Sequence, residues 1–421
     1  MERIDYLIAG ASAAGMAAAH TIRSRDPQGR IVLFTEEPDQ PYFRPMIPYL
    51  VSGQKRPKTM GMAGFGPYTA PGIEVRTESR IKDVDFQTRQ ITLANGDQAA
   101  YEKILFATGS RPHIPPDIRG TKTPGVFALR TLDDARQMAA RAKQTEHAVL
   151  LGGGLLNLKA AFALLEKGIR VTLVVYSPEI LSQLMEPDDA FLLRNALDGA
   201  GLEIKTKASA QAVLSGKNGV EGVLLADSTR ISCEMVCIGK GVRPNVEFLT
   251  DSGIELEKGI RADRYTRCTR PHAYAAGDVA VTHDPVSGRP VMTALWTNAV
   301  EMGRCAGLNM AGIKTAYTGT FGILNATQVA NLPFVSMGEV HTRGKAIEVH
   351  ARASSTAYRK MVFSADGTRL VGAVLVGDIT NAGLYRHVIQ GGRNATPFKR
   401  EIVDHTLHWG HLLPPGNNRL F

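Results

Sequence analysis

Cysteine is scarce in this 421-residue chain, and all four cysteines lie in its second half. Residues 1–232 contain none, and Cys233, Cys237, Cys268 and Cys305 form neither a C-x-x-C pair nor any metal-ligand spacing. This distribution excludes a disulfide framework and predicts that the chain holds no metal ion. Scattered cysteines of this kind are typical of buried apolar residues in a reducing compartment, so we expect a cytoplasmic protein.

Long hydrophobic runs and basic stripes interleaved with aromatic residues are missing as well. Hydrophobic residues make up 44% of the sequence, but no run approaches the ~18 consecutive apolar residues of a membrane span. No nucleic-acid-binding motif is recognisable, so neither a membrane span nor a nucleic-acid partner is expected. The formal net charge of +9 favours anionic cofactors or acidic protein partners instead. The length predicts two or three domains.

The opening stretch predicts a dinucleotide-binding unit. An apolar run at residues 4–9 is followed by a turn of tiny residues, a run of helix formers and a second apolar run that ends before Glu36. In such a unit Gly10 permits the tight turn, Ser12 lets a pyrophosphate approach, and Gly15 lets the helix pack against the strand. The helix N-terminus offers N–H groups to phosphates, and Glu36 can accept hydrogen bonds from a ribose. The alternative is a small-residue turn in an ordinary α/β domain.

A proline-rich segment follows Glu36. Prolines at positions 38, 41, 45 and 48 exclude regular helix or central strand and predict an extended loop. Because the loop also carries Tyr42, Phe43 and Arg44, it could lie along a flat ring system or simply form part of the surface. Its position directly after a ribose-binding acid favours contact with a cofactor, through Arg44 and Pro45.

The opening pattern returns at residue 147. A strand is predicted over 147–151, a glycine turn over 152–157, a helix over 158–167 and a strand over 169–176. We therefore expect a second nucleotide-binding fold, with contacts from Gly152, Gly154 and Leu155.

This second unit departs from the usual pattern at two positions. Asn157 replaces the third glycine, and it is expected to loosen the packing of the helix or to displace the pyrophosphate. Val175 stands where an acid usually recognises the 2′-hydroxyl of NAD, and no arginine for a 2′-phosphate replaces that acid. NAD is therefore favoured over NADP, with weak or lost nicotinamide binding as the alternative.

Further motifs complete the pattern. They are the Ala107–Gly109 turn after another predicted strand, a helix over 131–143 capped by Thr131 or Asp133, the segment 239–245, and the stretch Tyr274–Asp278 before a helix predicted near 293–312. The last hundred residues contain strand-like runs and a helix predicted over 381–389, which is typical of an α+β module. The tail from Pro397 to Phe421 is predicted to be irregular.

Taken in order, these motifs resemble the two-dinucleotide flavoprotein reductases of the pyridine-nucleotide:disulfide oxidoreductase superfamily. The resemblance covers the whole chain and implies an α/β fold with two Rossmann-like dinucleotide-binding domains in the glutathione-reductase-like arrangement, plus a C-terminal α+β domain. It implies FAD bound by residues 1–118 and 245–320, NAD(P)H bound by residues 119–244, and a dimer interface in residues 321–421. The implied cofactor-binding residues are Gly10, Ser12, Ala13, Gly15, Glu36, Arg44, Pro45, Thr108, Gly109, Arg111, Gly152, Gly154, Leu155, Gly277, Asp278 and Trp296.

The absence of cysteine from residues 1–232 narrows the resemblance to particular branches of the superfamily. Disulfide reductases of this superfamily carry a reactive cysteine beside the flavin, whereas Cys268 and Cys305 lie in late segments and are interpreted as structural. The run from Tyr42 to Gly53 is more similar to rubredoxin reductases and to the flavin domain of nitrite reductases. It is most similar to the flavoprotein subunits of oxidoreductases that act on phenylglyoxylate or, with tungsten, on aldehydes.

That branch implies electron transfer between NAD(H) and an iron–sulfur, ferredoxin-like partner, with a large metal-cofactor catalytic subunit as a further partner. Lys159 stands where many relatives have glutamate, and it is the candidate catalytic residue if it faces the junction of nicotinamide and flavin; otherwise it is an exposed helix lysine. Two other functions stay open. The chain could be a stand-alone NAD(P)H oxidase or a ferredoxin or rubredoxin reductase, or it could be a flavin-carrying assembly subunit with a degenerate nicotinamide site.

Overall fold

A computed structural model describes residues 1–62, 71–321, 323–345 and 347–413. The first part of the chain contains β1 (Glu2–Ala9), α1 (Ala13–Arg23), β2 (Ile31–Phe34), α2 (Ile47–Ser52), β3 (Ile73–Arg76), β4 (Ile81–Asp85), β5 (Gln90–Leu93), β6 (Gln98–Phe106) and β7 (Ser110–Pro112). Strand β1 lies between β2 and β6 and is parallel to both. The carboxyl ends of these strands therefore meet at one edge of the sheet, where α/β folds bind ligands.

The middle of the chain builds a second parallel sheet. Its elements are β8 (Val126–Phe127), α3 (Leu132–Arg141), β9 (His147–Leu151), α4 (Leu155–Leu165), β10 (Arg170–Val174), α5 (Phe191–Gly199), β11 (Glu203–Lys205), β12 (Ala210–Gly216), β13 (Gly219–Leu225), β14 (Arg230–Ser232) and β15 (Met235–Ile238). The strand order is β11-β10-β9-β15-β8, and β12 to β14 form a separate antiparallel sheet. The order of β10, β9 and β15 repeats that of β2, β1 and β6.

The chain then returns to the first sheet. The returning elements are β16 (Val242–Pro244), β17 (Ile260–Arg261), β18 (Ala273–Ala275), β19 (Ala280–His283), β20 (Pro290–Val291) and α6 (Trp296–Met310). Strand β16 pairs with β7, and β18 joins the first sheet beside β6. Helix α6 packs closely on α1. The closeness shows at Gly303, where a Cβ would come within 2.2 Å of the Ala14 carbonyl oxygen.

The last part of the chain forms an antiparallel sheet with helices. It contains β21 (Leu324–Val329), β22 (Leu332–Gly338), β23 (Glu348–Ala353), β24 (Tyr358–Phe363), β25 (Leu370–Val376), α7 (Ala382–Gln390), α8 (Lys399–Asp404) and α9 (Trp409–Leu412). The strand order is β21-β22-β25-β24-β23. One face of the sheet shares a hydrophobic core with the second fold, and the other face packs on α7 and on the tail.

The predicted α/β class is confirmed by the two parallel sheets, and Thr131 is confirmed as the cap of α3 because its side chain accepts a hydrogen bond from the Asp134 N–H. The prediction of an irregular tail is wrong for its described part. Residues 399–404 and 409–412 are helical, and Ile402 and Leu407 are buried in the C-terminal core. Residues 414–421 lie outside the described part of the chain. No helix in the described ranges is long and apolar enough to cross a membrane.

Candidate functional site

The glycine turn after β1 opens a helix N-terminus. Gly10 has a φ of +113°, and a Cβ there would come within 2.1 Å of the Ala107 carbonyl oxygen, so only glycine fits where β1 and β6 end. Ser12 precedes α1, but its side chain makes no capping hydrogen bond. The first-turn N–H groups are therefore available to a phosphate. Gly15 lies behind the turn, with its Cα close to the Gly10 carbonyl.

A cavity of about 960 Å³ adjoins this turn, near the upper end of the roughly 300–1,000 Å³ typical of ligand sites. Its lining includes the predicted residues Gly10, Ser12, Ala13, Glu36, Arg44, Pro45, Thr108, Gly109, Arg111, Gly277, Asp278 and Trp296. Leu129 and Leu156 from the second fold also line it. The cavity is therefore bordered by both folds. Gly15, Gly152, Gly154 and Leu155 are not part of its lining.

Asp278 is a buried carboxylate on the cavity wall. It follows β18, and its Oδ2 accepts hydrogen bonds from Ser110 Oγ at 2.9 Å and from Arg130 Nη2 at 2.8 Å. Among the described residues, nothing donates to the other oxygen, Oδ1. Arg130 was not predicted from the sequence, since it lies outside every motif and just before the helix predicted over 131–143. The signal that could have found it is its place directly before the Thr131 cap.

The proline-rich segment is a loop only up to Phe43; the expectation that Pro48 excludes helix is wrong, because it lies in the first turn of α2, where no N–H is required. Glu37, and not Glu36, fixes the loop. Arg44 Nη2 lies 2.5 Å from Glu37 Oε1, and Tyr42 donates its hydroxyl to Glu37 Oε2 at 2.6 Å. Arg44 Nη1 also donates to the Arg130 carbonyl oxygen at 2.8 Å. Glu36 points outward with 61% of its side chain exposed, and it still lines the cavity. An acid at this position remains accessible to a ribose.

Two segments that run between the folds, residues 108–111 and 244–247, are joined to each other by hydrogen bonds. Thr108 Oγ1 donates to the Asn245 carbonyl oxygen at 3.0 Å, and Asn245 Nδ2 donates to the Thr108 carbonyl oxygen at 2.9 Å. Arg111 pairs with Glu247 and donates to the Pro244 carbonyl oxygen. The predicted residues Thr108 and Arg111 therefore tie the outgoing chain to the returning chain as well as lining the cavity.

The second glycine turn corrects one expectation. Asn157 does not loosen the packing of α4, because it is 1% exposed and its Nδ2 donates to the carbonyl oxygens of Leu151 and Gly152, each at 2.9 Å. Gly239 makes room for it, since a Cβ there would lie 2.3 Å from Asn157 Oδ1. The side chain therefore joins the end of β9 to the helix.

The space in front of the second glycine turn, at the N-terminus of α4, is open. Gly154 precedes α4 without a side-chain cap, and a Cβ on Gly154 would meet nothing within 4 Å. Val175 is buried beneath Gly153, and Tyr176 after it is 77% exposed. Lys159 lies one turn beyond the cavity-lining Leu156, and burial lowers the pKa of its ammonium group. Because Lys159 is not itself part of the cavity lining, its catalytic role stays a prediction.

None of the four cysteines lines the cavity. Cys233, Cys237 and Cys305 are buried, and Cys268 packs against the first hydrophobic core. Burial raises the pKa of Cys233 and of Cys237 to about 12 and that of Cys305 to about 11, so all three remain protonated and unreactive near neutral pH. Within the described part of the chain, no cluster of histidine, cysteine and carboxylate side chains could hold a metal ion.

The site fits the flavin cofactor that the resemblance implies. An uncapped helix N-terminus suits a pyrophosphate, and an accessible acid at the end of β2 suits a ribose. Asp278 Oδ1 can accept a hydrogen bond from a polyol. The first-fold lining residues would hold FAD, and the open turn at Gly154 would hold the pyrophosphate of NAD.

Comparison with known proteins agrees with this geometry. The family model described as pyridine nucleotide-disulphide oxidoreductase matches residues 4–303, and that of the rubredoxin NAD+ reductase C-terminal domain matches residues 324–393. The chain is 30% identical over 414 residues, 97% of each chain, to the epsilon subunit of NADH-dependent phenylglyoxylate dehydrogenase from Aromatoleum evansii. It is 27% identical to an NADH oxidase from Methanocaldococcus jannaschii, over 88% of this chain and 87% of the relative.

A solved structure shows the same fold. The ferredoxin reductase for the CYP199A2 system from Rhodopseudomonas palustris is 26% identical and superposes with a TM-score of 0.84, covering 94% of this chain and 96% of that one. The resemblance inferred from the motifs is thus confirmed. The chain belongs to the pyridine nucleotide-disulphide oxidoreductase family and is an oxidoreductase that uses FAD and NAD(H).

Proposed function

We propose that this chain is the electron-transfer flavoprotein subunit of a multi-subunit oxidoreductase and moves electrons between NAD(H) and an iron–sulfur partner protein. The observation that carries the proposal is the cavity wall, which contains no thiol among its lining residues. When bound, FAD supplies the exchange of a hydride with NAD(H) and of single electrons with a second redox centre. Since the described residues offer neither a reactive thiol nor a metal site, that second centre belongs to another polypeptide.

The chain's own residues place and shield the reacting groups. The turn at Gly10 and the N-terminus of α1 hold phosphates, while Asp278 and Glu36 accept hydrogen bonds from hydroxyl groups. Leu129 and Leu156 bring apolar side chains of the second fold to the cavity wall. These apolar side chains would help to exclude water from the loaded cavity. The corresponding domains would be residues 1–118 with 245–320 for FAD, 119–244 for NAD and 321–421 for an interface with a second copy.

The nature of the partner is argued from a relative and from charge. The phenylglyoxylate dehydrogenase relative is itself a subunit of a larger enzyme. The net charge of +9 favours association with an acidic redox protein, because opposite charges steer diffusional encounter. A ferredoxin-like subunit and a large metal-cofactor catalytic subunit would satisfy both arguments.

The test compares two acceptors. The FAD-loaded chain is mixed with NADH and either a two-cluster [4Fe–4S] ferredoxin or dioxygen, and turnover is measured with each. We expect ferredoxin turnover to exceed dioxygen turnover by roughly tenfold or more at low salt and to fall as salt screens the attraction. Dioxygen turnover as fast as ferredoxin turnover would contradict the proposal.

That contrary result would favour a second candidate, a stand-alone NADH oxidase, which the Methanocaldococcus jannaschii relative supports by its name. A flavin-carrying assembly subunit with a degenerate nicotinamide site has less support. Two departures suggested it, Asn157 and Val175; Asn157 leaves the second turn well packed, whereas Val175 is buried and offers no acid to a ribose. Tight FAD binding without any NADH binding would favour this last alternative.

A further inference from the structure

The segment 176–190 joins β10 to α5 and lies directly against the second glycine turn. The Leu181 N–H donates to the Gly153 carbonyl oxygen at 2.9 Å. A Cβ on Gly153 would come within 3.4 Å of Ile180 Cα, so the turn and the segment touch along their backbones. A displacement of the segment 176–190 would therefore displace the turn that is predicted to bind the dinucleotide phosphates.

The far end of this segment is held by the C-terminal sheet. Lys360 on β24 is 3% exposed, and its Nζ lies 2.6 Å from Asp189 Oδ2, 2.9 Å from Glu186 Oε2 and 2.9 Å from the Val340 carbonyl oxygen. Tyr358 donates its hydroxyl to Asp189 Oδ1 at 2.6 Å. All three ammonium hydrogens thus have acceptors, which a buried lysine requires.

Other groups of the C-terminal module fix the segment at further points. Thr342 donates its N–H at 2.9 Å to Glu186 Oε1 and its hydroxyl at 2.7 Å to Glu186 Oε2. Ser336 Oγ donates to the Leu184 carbonyl oxygen, and His341 Nε2 lies 3.3 Å from the Gln183 carbonyl oxygen. The segment is therefore held along residues 183 to 189, immediately after the stretch that touches the glycine turn.

This arrangement is better suited to orientation than to stability. A buried ion pair costs desolvation energy that offsets most of its attraction. Apolar contact between the two regions exists without it, because Leu181 and Met185 share a hydrophobic core with Val374 and Val376 of β25. The ion pair adds orientation, because it fixes where the segment 176–190 lies along the C-terminal sheet.

We propose that Lys360 is a positioning residue for NAD(H), through which the C-terminal module holds the second glycine turn in its binding geometry. The proposal rests on the second fold binding NAD(H). It assigns the C-terminal module a role within one chain, separate from any interface with a second copy.

The test uses the FAD-loaded chain with Lys360→Met. We expect the dissociation constant of NADH, measured by quenching of its fluorescence, and the KM for NADH to rise roughly 2- to 30-fold. The kcat and the affinity for FAD should change less than about twofold. Amide hydrogen exchange in residues 176–190 should accelerate while exchange in β1 and α1 stays the same. Thr342→Val, which removes one hydroxyl, should raise the dissociation constant and KM for NADH by a smaller factor. It keeps the proposal testable if the Lys360→Met variant fails to fold.

The control is Lys399→Met. Lys399 forms an ion pair of the same length with Glu348, at 2.6 Å, within the C-terminal module; the pair is more exposed than that of Lys360, and Lys399 forms no hydrogen bond or ion pair with the segment 176–190 among the described residues. It should leave NADH binding unchanged. Unchanged NADH binding in folded Lys360→Met and Thr342→Val, or equal losses in all three variants, would overturn the proposal. If the wild-type chain itself binds no NADH, the proposed NAD(H) site in the second fold is wrong, and the role of Lys360, which depends on that site, is wrong as well.

Discussion

The two glycine turns of this chain begin alike and end differently. Gly10 and Gly152 adopt φ values of +113° and +114°, and a Cβ on either would strike the carbonyl oxygen of the residue after the neighbouring strand, Ala107 or Gly239. Five residues after its first glycine, the first turn has Gly15, whose missing side chain lets the helix touch the Gly10 carbonyl. The second turn has Asn157 there, which reaches the Gly152 carbonyl by a hydrogen bond.

This difference shows two chemical ways of joining the helix to the turn before it. A missing side chain achieves it in the first turn. In the second, a polar side chain spans the gap, and the glycine directly after the neighbouring strand leaves room for it. The third glycine of the fingerprint is therefore one way of meeting a packing requirement, and its replacement does not by itself indicate a lost nucleotide site.

The largest expected effect is that of Gly15→Ala. Its Cβ would lie 1.9 Å from the Gly10 carbonyl oxygen, and backbone atoms cannot move aside easily. We expect a loss of about 3 kcal/mol in the free energy of unfolding and weaker retention of FAD. Chemical denaturation measures the first and release of flavin fluorescence the second. Gly154→Ala is the control for stability, since its Cβ meets nothing within 4 Å; equal losses in both variants would contradict the packing argument.

Asn157→Ala should have the next largest effect. It removes two buried hydrogen bonds and leaves the carbonyl oxygens of Leu151 and Gly152 without that donor. We expect a loss of roughly 1–3 kcal/mol in the free energy of unfolding, together with weaker NADH binding. An unchanged unfolding midpoint would show that the asparagine does not join the strand to the helix.

A double variant sharpens the comparison. Gly239→Ala alone should be destabilising, because its Cβ would lie 2.3 Å from Asn157 Oδ1. Combined with Asn157→Gly, it recreates the glycine and alanine arrangement of the first turn. We expect the double variant to be more stable than the sum of the single effects predicts, by about 1–2 kcal/mol. Additive effects in denaturant unfolding would mean that the two positions are not coupled.

The smallest expected effect concerns Glu186, in the part of the segment 176–190 that the C-terminal module holds. Burial alone would raise its pKa, but hydrogen bonds from Lys360, Thr342 and the backbone lower the pKa to about 2. A carboxylate with a lowered pKa stabilises the fold above its ordinary pKa of 4.5 and loses that contribution as the pH falls through about 2. The stability difference between the wild type and Glu186→Gln should therefore be constant near neutral pH and shrink below pH 4.5. A difference that grows on acidification would contradict this assignment.

Local patterns predicted much of this molecule. The two strand–turn–helix–strand units and the cap at Thr131 follow from spacing and residue type, whereas cavity-lining positions such as Thr108 and Asp278 come from the family resemblance. The contacts that the sequence did not reveal join distant residues, such as Arg130 with Asp278 and Lys360 with Asp189. The helical tail was missed because its helices are too short to show a hydrophobic period.

The most direct test of the central claim is an anaerobic titration of the FAD-loaded chain with NADH. FAD accepts the two electrons that one NADH delivers, and the lining residues of the cavity include no cysteine, hence no disulfide that could accept two more. We predict complete bleaching of the flavin with one NADH per flavin and the same number of titratable thiols before and after. Uptake of a second equivalent with the appearance of new thiols would reveal a redox-active disulfide, and no bleaching at all would contradict hydride transfer from NADH to FAD.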